Sequence, residues 1–227
     1  MIDETIVVGA FQCNCRLLVC EETGEAALID PGDEPRKILG AIERAQANLD
    51  KPLSVKYLLH THAHLDHIGA TRNVREALAD TQGEVIPQIF LHQGDEPLYR
   101  ALKQQGQMLG FRYDDPLPVD QYFEDEQDLS VGRIRMSILH TPGHSPGSCC
   151  LRLHEDSEAG STESVYSGDT LFQFSVGRTD LMGGDMGALI RSIKGRLLTL
   201  DDDTRVCPGH GPETKIGLEK RVNPFLT

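Results

Sequence analysis

The sequence predicts an α/β domain in which β-sheets carry helices on their outer faces. Three observations lead there. Short β-rich runs recur along the whole chain, segments of helical periodicity fall between them, and Gly-, Pro- and Asp-containing turns punctuate both without a repeat or an interdomain linker. At 227 residues there is room for a sizeable core, and residues 1–227 are expected to form one domain.

The elements follow in order. Thr5–Val8, Arg16–Cys20 and Ala26–Ile29, separated by turn residues such as Thr23-Gly24, read as a strand meander that ends at Asp30-Pro31-Gly32. Asp33-Glu34-Pro35 then offers an N-cap, an acidic first turn and an early proline, and Ile38, Leu39, Ile42 and Ala45 follow at helical spacing. Val55–Leu59 is a short apolar strand that runs into a histidine cluster, and Ile68–Ala79 is again helical through Val74, Ala77 and Leu78. Ile89–Leu91 reads as a strand, Glu96–Leu109 as a helix and Asp114–Asp128 as an acidic connection, so a helical and loop insertion is expected near 95–128. Strands at Arg133–Leu139, Ser148–Leu153 and Val165–Tyr166, a helix near Met186–Leu198 and a strand near Arg205–Cys207 complete the reading.

Charge and composition remove several functions. Lys and Arg number 22 against 35 Asp and Glu, a net charge of −13 whose field repels phosphate backbones and anionic lipid. Neither nucleic acid nor a membrane surface is an expected partner. The six cysteines, Cys13, Cys15, Cys20, Cys149, Cys150 and Cys207, show no framework spacing, which fits a reducing cytoplasm. Met1-Ile2-Asp3-Glu4-Thr5 lacks the charged and apolar regions of a signal peptide, and no stretch approaches the roughly 18 apolar residues of a membrane span.

The chemistry concentrates in Leu59-His60-Thr61-His62-Ala63-His64-Leu65-Asp66-His67. Neutral imidazole and carboxylate are the nitrogen and oxygen ligands of zinc, and the absence of thiolates from this segment favours a hydrolytic site over a structural finger. A chance H-x-H-x-D-H is expected in roughly one chain in a thousand of this composition, so the motif is specific. Three further residues sit in Gly-rich turns after β-like runs: His144 in Thr141-Pro142-Gly143-His144-Ser145-Pro146-Gly147, Asp169 in Ser167-Gly168-Asp169-Thr170, and His210 in Pro208-Gly209-His210-Gly211. A ligand held where a strand gives way to such a turn is anchored by the sheet and aimed by the bend. Cys13-x-Cys15, lacking a second thiol pair, reads as two buried small hydrophobes, and Asp201-Asp202-Asp203 as a solvated turn.

From Asp30-Pro31-Gly32 through these motifs to Asn223-Pro224-Phe225, the chain resembles the metallo-β-lactamase-fold hydrolases, and within them the glyoxalase II (hydroxyacylglutathione hydrolase) group in a short form. The resemblance implies a four-layer αββα sandwich and two divalent metals, zinc first with iron or manganese as alternatives. His62, His64 and His144 would hold metal one, Asp66, His67 and His210 metal two, and Asp169 would bridge. Asp66 and Asp169 would be the catalytic carboxylates of a thioesterase in which a metal-bridging hydroxide attacks the carbonyl. Asp30 would support the metal loops without ligating, or simply form the turn before Pro31, and the family motif starts at Thr61, which leaves His60 with His92, His140 and His154 as structural or surface residues.

Gly177-Arg178-Thr179-Asp180 narrows the substrate. Glyoxalase II has a glutathione-binding lysine at the place of Arg178, so the resemblance implies an S-lactoylglutathione-like acyl-glutathione held at its carboxylate by Arg178. Arg178 could instead satisfy its own loop or pair with Asp180 or Asp185. Asp180 and Pro212 stand where glyoxalase II has tyrosines, and 17 residues follow His210 where that enzyme has a helical domain, a wall that Glu96–Asp120 could replace. The same stretch resembles iron-dependent persulfide dioxygenases. That activity, lactone or β-lactam hydrolysis, and a non-catalytic metal-binding scaffold remain the alternatives, and the oligomeric state is open.

Overall fold

A computed structural model describes residues 1–83, 85–154 and 163–227. The amino-terminal meander extends β1 (Ile2–Val8), β2 (Cys13–Val19) and β3 (Glu25–Ile29). Strands β4 (Ser54–Leu59), β5 (Gln88–His92) and β6 (Gln121–Phe123) add in parallel to give a six-stranded sheet in the order β1-β2-β3-β4-β5-β6. A second sheet is built from β7 (Asp128–Val131), β8 (Ile134–His140), β9 (Cys149–Leu153), β10 (Ser164–Gly168), β13 (Arg205–Pro208) and β14 (Thr214–Lys215), ordered β14-β13-β10-β9-β8-β7. A hairpin of β11 (Leu171–Phe172) and β12 (Ser175–Val176) stands apart.

Period-two alternation sorts the strand residues into layers. Leu18, Ala27, Ile29 and Leu59 of the first sheet meet Ile134, Met136, Ile138, Leu151 and Tyr166 of the second in the inter-sheet core. Their neighbours Leu17, Val19, Leu28 and Leu58 face outward onto α1 (Pro35–Ala47), α3 (Thr71–Thr81), α4 (Glu96–Arg100) and α5 (Leu102–Leu109). On the far side Leu139, Cys150, Val165 and Val206 pack against Leu189, Ile193 and Leu197 of α6 (Met186–Ser192) and its extension, and Ile216 of α7 (Ile216–Val222). This is the expected αββα sandwich.

Local departures from the sequence reading have physical causes. Asp33 does not cap α1: the N-cap is Glu34 in the left-handed region without a side-chain cap, and Asp33 instead accepts the Glu34 N–H. The expected Ile68–Ala79 helix is split into α2 (Leu65–Ile68) and α3, because Gly69 lies too close to Tyr113 and the Gly32 carbonyl for any Cβ and Ala70 N–H turns to the Pro31 carbonyl. Glu96–Leu109 breaks at Ala101 into α4 and α5. After Ser192 the helix widens into a π-helical turn, Ile193–Leu197, closed by Leu198 N–H on the Ile193 carbonyl. The acidic connection contains β6, a three-residue strand tied to β5 by Asp120, which exchanges bonds with Ile89 through its backbone N–H and its carboxylate.

Candidate metal centre

The residues that carry the histidine-rich motifs lie in loops that leave the carboxyl ends of β3, β4, β10 and β13 and the β8–β9 turn. Parallel strands bring such ends to one edge, where backbone must bend and side chains can converge. The two sheets are joined there by Cys149 N–H on the Thr61 carbonyl (2.8 Å) and Asn14 N–H on the Gly209 carbonyl (2.7 Å). Gly168, at φ 47°, would place a Cβ 2.3 Å from Thr61 Oγ1, and a Cβ on Gly209 would lie 2.5 Å from Asp169 Oδ1, so only glycine fits either position.

All seven predicted ligands meet. His144 Nε2 lies 3.2 Å from His62 Nε2 and 2.8 Å from His64 Nδ1. His210 Nε2 lies 3.2 Å from both His67 Nε2 and Asp66 Oδ2. Asp169 stands between the two groups: Oδ1 faces His67 (3.4 Å) and His210 (3.7 Å), and Oδ2 faces His144 (3.6 Å).

The outward ring nitrogens fix which nitrogen points inward. His144 Nδ1 donates to the Arg178 carbonyl (2.8 Å) and His210 Nδ1 to the Phe11 carbonyl (3.0 Å). His67 Nδ1 donates to Asp30 Oδ2 (2.9 Å), and His62 Nδ1 to Thr61 Oγ1 (3.1 Å), whose hydroxyl donates on to Asp30 Oδ2 (2.7 Å). Asp30, buried and also accepting the Thr61 N–H, thus orients two histidines at once. Of its two sequence readings, the structure places it beneath the loop.

Electrostatics treat the two groups differently: burial opposes charging His67 and His210, but the neighbouring acidic groups outweigh it and raise both. Burial pushes His62 and His64 down, His64 to about 4, and neighbouring imidazoles add to the effect, so both are neutral near pH 7. Burial opposes charging Asp66 and Asp169, but His67 and the other imidazoles outweigh it and hold both carboxyls below their ordinary range. The buried Asp169 Oδ1 has no hydrogen-bond partner among the described residues. That orphaned oxygen amid converging nitrogens is the donor chemistry a cation pair would satisfy, and the residues present fit one.

Arg178 is placed differently. Its backbone carbonyl orients His144, but its side chain is 62% exposed and grips Asp180 through two bonds of 2.7 and 2.8 Å. His60 is buried against Thr71, His92 stacks on His140 at 4.0 Å, and His154 contacts Ser137, so none joins the cluster. Cys13 and Cys15 are buried, and burial pushes the Cys13 thiol up to about 12, although its sulfur also lies 3.6 Å from His67 Nδ1. Asp202 and Asp203 pair with Lys220 and Lys215 at the surface.

Three supporting residues, Asp95, Gln105 and Asn14, lie outside every ligand-bearing motif of the sequence. Asp95 Oδ2 accepts Ala63 N–H (2.9 Å) and the Ser145 hydroxyl, while Oδ1 accepts Gly147 N–H (2.6 Å). Gln105 accepts Leu65 N–H and donates to the Ala63 carbonyl, and Asn14 donates to the Pro208 and Gly211 carbonyls around His210. The only available signal was position: Asp95 follows the end of a predicted strand, as Asp30 and Asp169 do.

Residues 8–210 match the metallo-beta-lactamase superfamily. Over 225 residues the chain is 39% identical to hydroxyacylglutathione hydrolase GloC of Haemophilus influenzae, covering 98% of this chain and 97% of that protein. A solved structure of TTHA1623 in a di-iron-bound form is 41% identical (TM-score 0.79, 98% of this chain, 100% of the other), and the B3 metallo-beta-lactamase BLEG-1 is 36% identical (TM-score 0.83, 100% of both). The likeness spans both sheets and the converging histidines, and the family implies a dinuclear divalent metal site there. The chain therefore belongs to the metallo-beta-lactamase superfamily and is a metal-dependent hydrolase.

Proposed function

We propose that the protein is a thioesterase that cleaves S-lactoylglutathione or related acyl-glutathiones. The observation that carries this reading is the position of Asp169 between His144 and the His67–His210 pair, which gives two adjoining donor sets sharing one carboxylate. Its substrate side is supported by the 39% identity to GloC, named a hydroxyacylglutathione hydrolase. His62, His64 and His144 serve one ion, Asp66, His67 and His210 the other, and Asp169 both. Zinc is the ion we assign, with iron the alternative that the di-iron form of a 41% identical relative supports. Such a divalent pair would supply a water of lowered pKa as the nucleophile and would offset the charge that develops on the carbonyl oxygen.

The chain supplies the rest. Asp30 and the Phe11 and Arg178 carbonyls hold four imidazoles in the tautomer that leaves a lone pair facing the reaction centre. Arg178 exchanges its exposed partner Asp180 for a carboxylate of the thiol portion, a swap that costs little because a solvated ion pair is weak. We read residues 1–227 as one domain, supported by the shared inter-sheet core, and the six buried free cysteines support a reducing cytoplasmic setting.

The test combines metal analysis, hydrolysis of S-lactoylglutathione and oxygen uptake with glutathione persulfide. Two metals per chain and thioester cleavage without oxygen uptake are expected. One iron per chain with oxygen consumption would replace this reading with the dioxygenase one.

A further inference from the structure

The Phe172–Ser175 hairpin and the β1–β2 turn both adjoin His210, through the Phe172 ring and the Phe11 carbonyl, and each carries a half-exposed phenylalanine. Phe11 is 44% exposed and Phe174 48%, and the phenyl of Phe172 lies 6.4 Å from the His210 ring. Phe111, from the segment after α5, meets Phe11 at 5.7 Å. Leaving this much aromatic surface in water forgoes stabilisation, since phenylalanine is normally buried.

Both turns are also strained. Phe174 has φ 58° and Gln12, next to Phe11, has φ 57°, in the left-handed region that bulky side chains avoid. Strain of this kind persists only where the surroundings enforce it. At the hairpin they do: buried Glu219 accepts Phe174 N–H (3.0 Å), the Thr214 hydroxyl (2.6 Å) and the Asn223 amide (2.8 Å), and that same amide donates to the Ser175 carbonyl (3.1 Å). Asn223 of the Asn-Pro-Phe tail thus braces a hairpin tip whose aromatic side chain the fold leaves in solvent.

His144 donates to the Arg178 carbonyl and His210 to the Phe11 carbonyl, so the Arg178 loop and the β1–β2 turn adjoin different histidines.

We infer that Phe11, Phe111, Phe172 and Phe174 form an apolar wall on the His210 side that receives the acyl group, and that the enzyme selects thioesters with apolar, aryl- or alkyl-bearing acyl groups over lactoyl. The inference rests on the thioesterase reading for the orientation of the substrate, with the charged thiol portion toward Arg178.

Lactate and 3-phenyllactate share a carboxylate and a hydroxyl and differ by a phenyl ring, so calorimetric titration of the metal-loaded protein with each reads the wall apart from turnover. Phenyllactate is expected to bind about ten-fold more tightly, with the ratio falling to near one in Phe11→Ala and in Phe174→Gly. Glycine accommodates the positive φ, so the second variant keeps its melting temperature. The glutathione thioesters of the two acids should show the same preference in kcat/KM. Equal affinities for wild type, or a ratio preserved in both variants, would overturn the inference. Turnover of neither thioester beside a ten-fold preference between the acids would leave the wall standing and overturn the thioesterase reading alone.

Discussion

The Asp95 carboxylate and the Ser145 hydroxyl meet at 2.7 Å, and the same oxygen takes the Ala63 N–H, so one buried group spans the loop of His62 and His64 and the loop of His144. Asp95→Asn keeps the size but turns one acceptor into a donor facing N–H and O–H groups. Charge-assisted bonds to buried groups carry about 1.5–3 kcal/mol, and stranded donors add to the loss. The metal-free variant should melt about 5–12 °C below wild type by calorimetry. Metal content after dialysis against a chelator should fall first in one equivalent, that of the His62, His64 and His144 group.

Asp169→Asn should cost more than Asp66→Asn, because Asp169 faces both donor groups and Asp66 only the His67–His210 side. We expect Asp169→Asn to lower both metal equivalents and to depress kcat by more than the about 10–100-fold that removing an outer partner of a ligand costs. A metal-replete Asp169→Asn protein with wild-type kcat would remove the bridging role.

Arg178→Ala should lower kcat/KM for an acyl-glutathione by roughly ten- to a hundred-fold, most of it in KM, because a contact remote from the carbonyl serves ground and transition states alike. Asp180→Asn should move KM the other way, since it frees the guanidinium from the two-bond grip seen here. A thioester lacking the glutathione portion should not distinguish these proteins.

Chelation should abolish hydrolysis and lower thermal stability. An ion present at a thousand times its Kd stabilises the fold by about 4 kcal/mol, and removing it leaves the buried Asp169 Oδ1 without a partner. Differential scanning calorimetry before and after chelation checks the shift, and re-addition of each candidate metal ranks them.

His92 sets a pH limit of its own. Burial, with the stacked His140 beside it, pushes His92 down to about 4, against about 6.5 in an unfolded chain. Between those values the unfolded chain binds more protons, so stability is complete above about 6.5 and is lost as pH falls toward 4. The half-exposed ring limits the effect to about 1–2 kcal/mol. His92→Gln should flatten that part of the stability profile, which urea titrations at pH 4.5 and 7 would read.

The amino-acid sequence determined what repeats at short range. Alternation placed Leu17 and Leu18 on opposite faces of one strand, helical spacing buried Ile38, Ile42 and Ala45 and left Leu39 partly buried, and the density of imidazoles from His62 to His67 announced a metal-binding loop. With the resemblance, even His144, Asp169 and His210, scattered over 67 positions, were recognisable as members of one set. Tertiary structure alone decided what depends on distance between strands. That Asp95 ties two loops about 80 residues apart, and that the carboxy-terminal Asn223 braces a hairpin beside His210, are outcomes of packing, because hydrogen bonds of long sequence separation leave no periodic trace. Helix breaks at Gly69 and Ala101 belong to the same class: local propensity favours a continuous helix, and the close approach of Tyr113 and the Pro31 turn overrides it at Gly69.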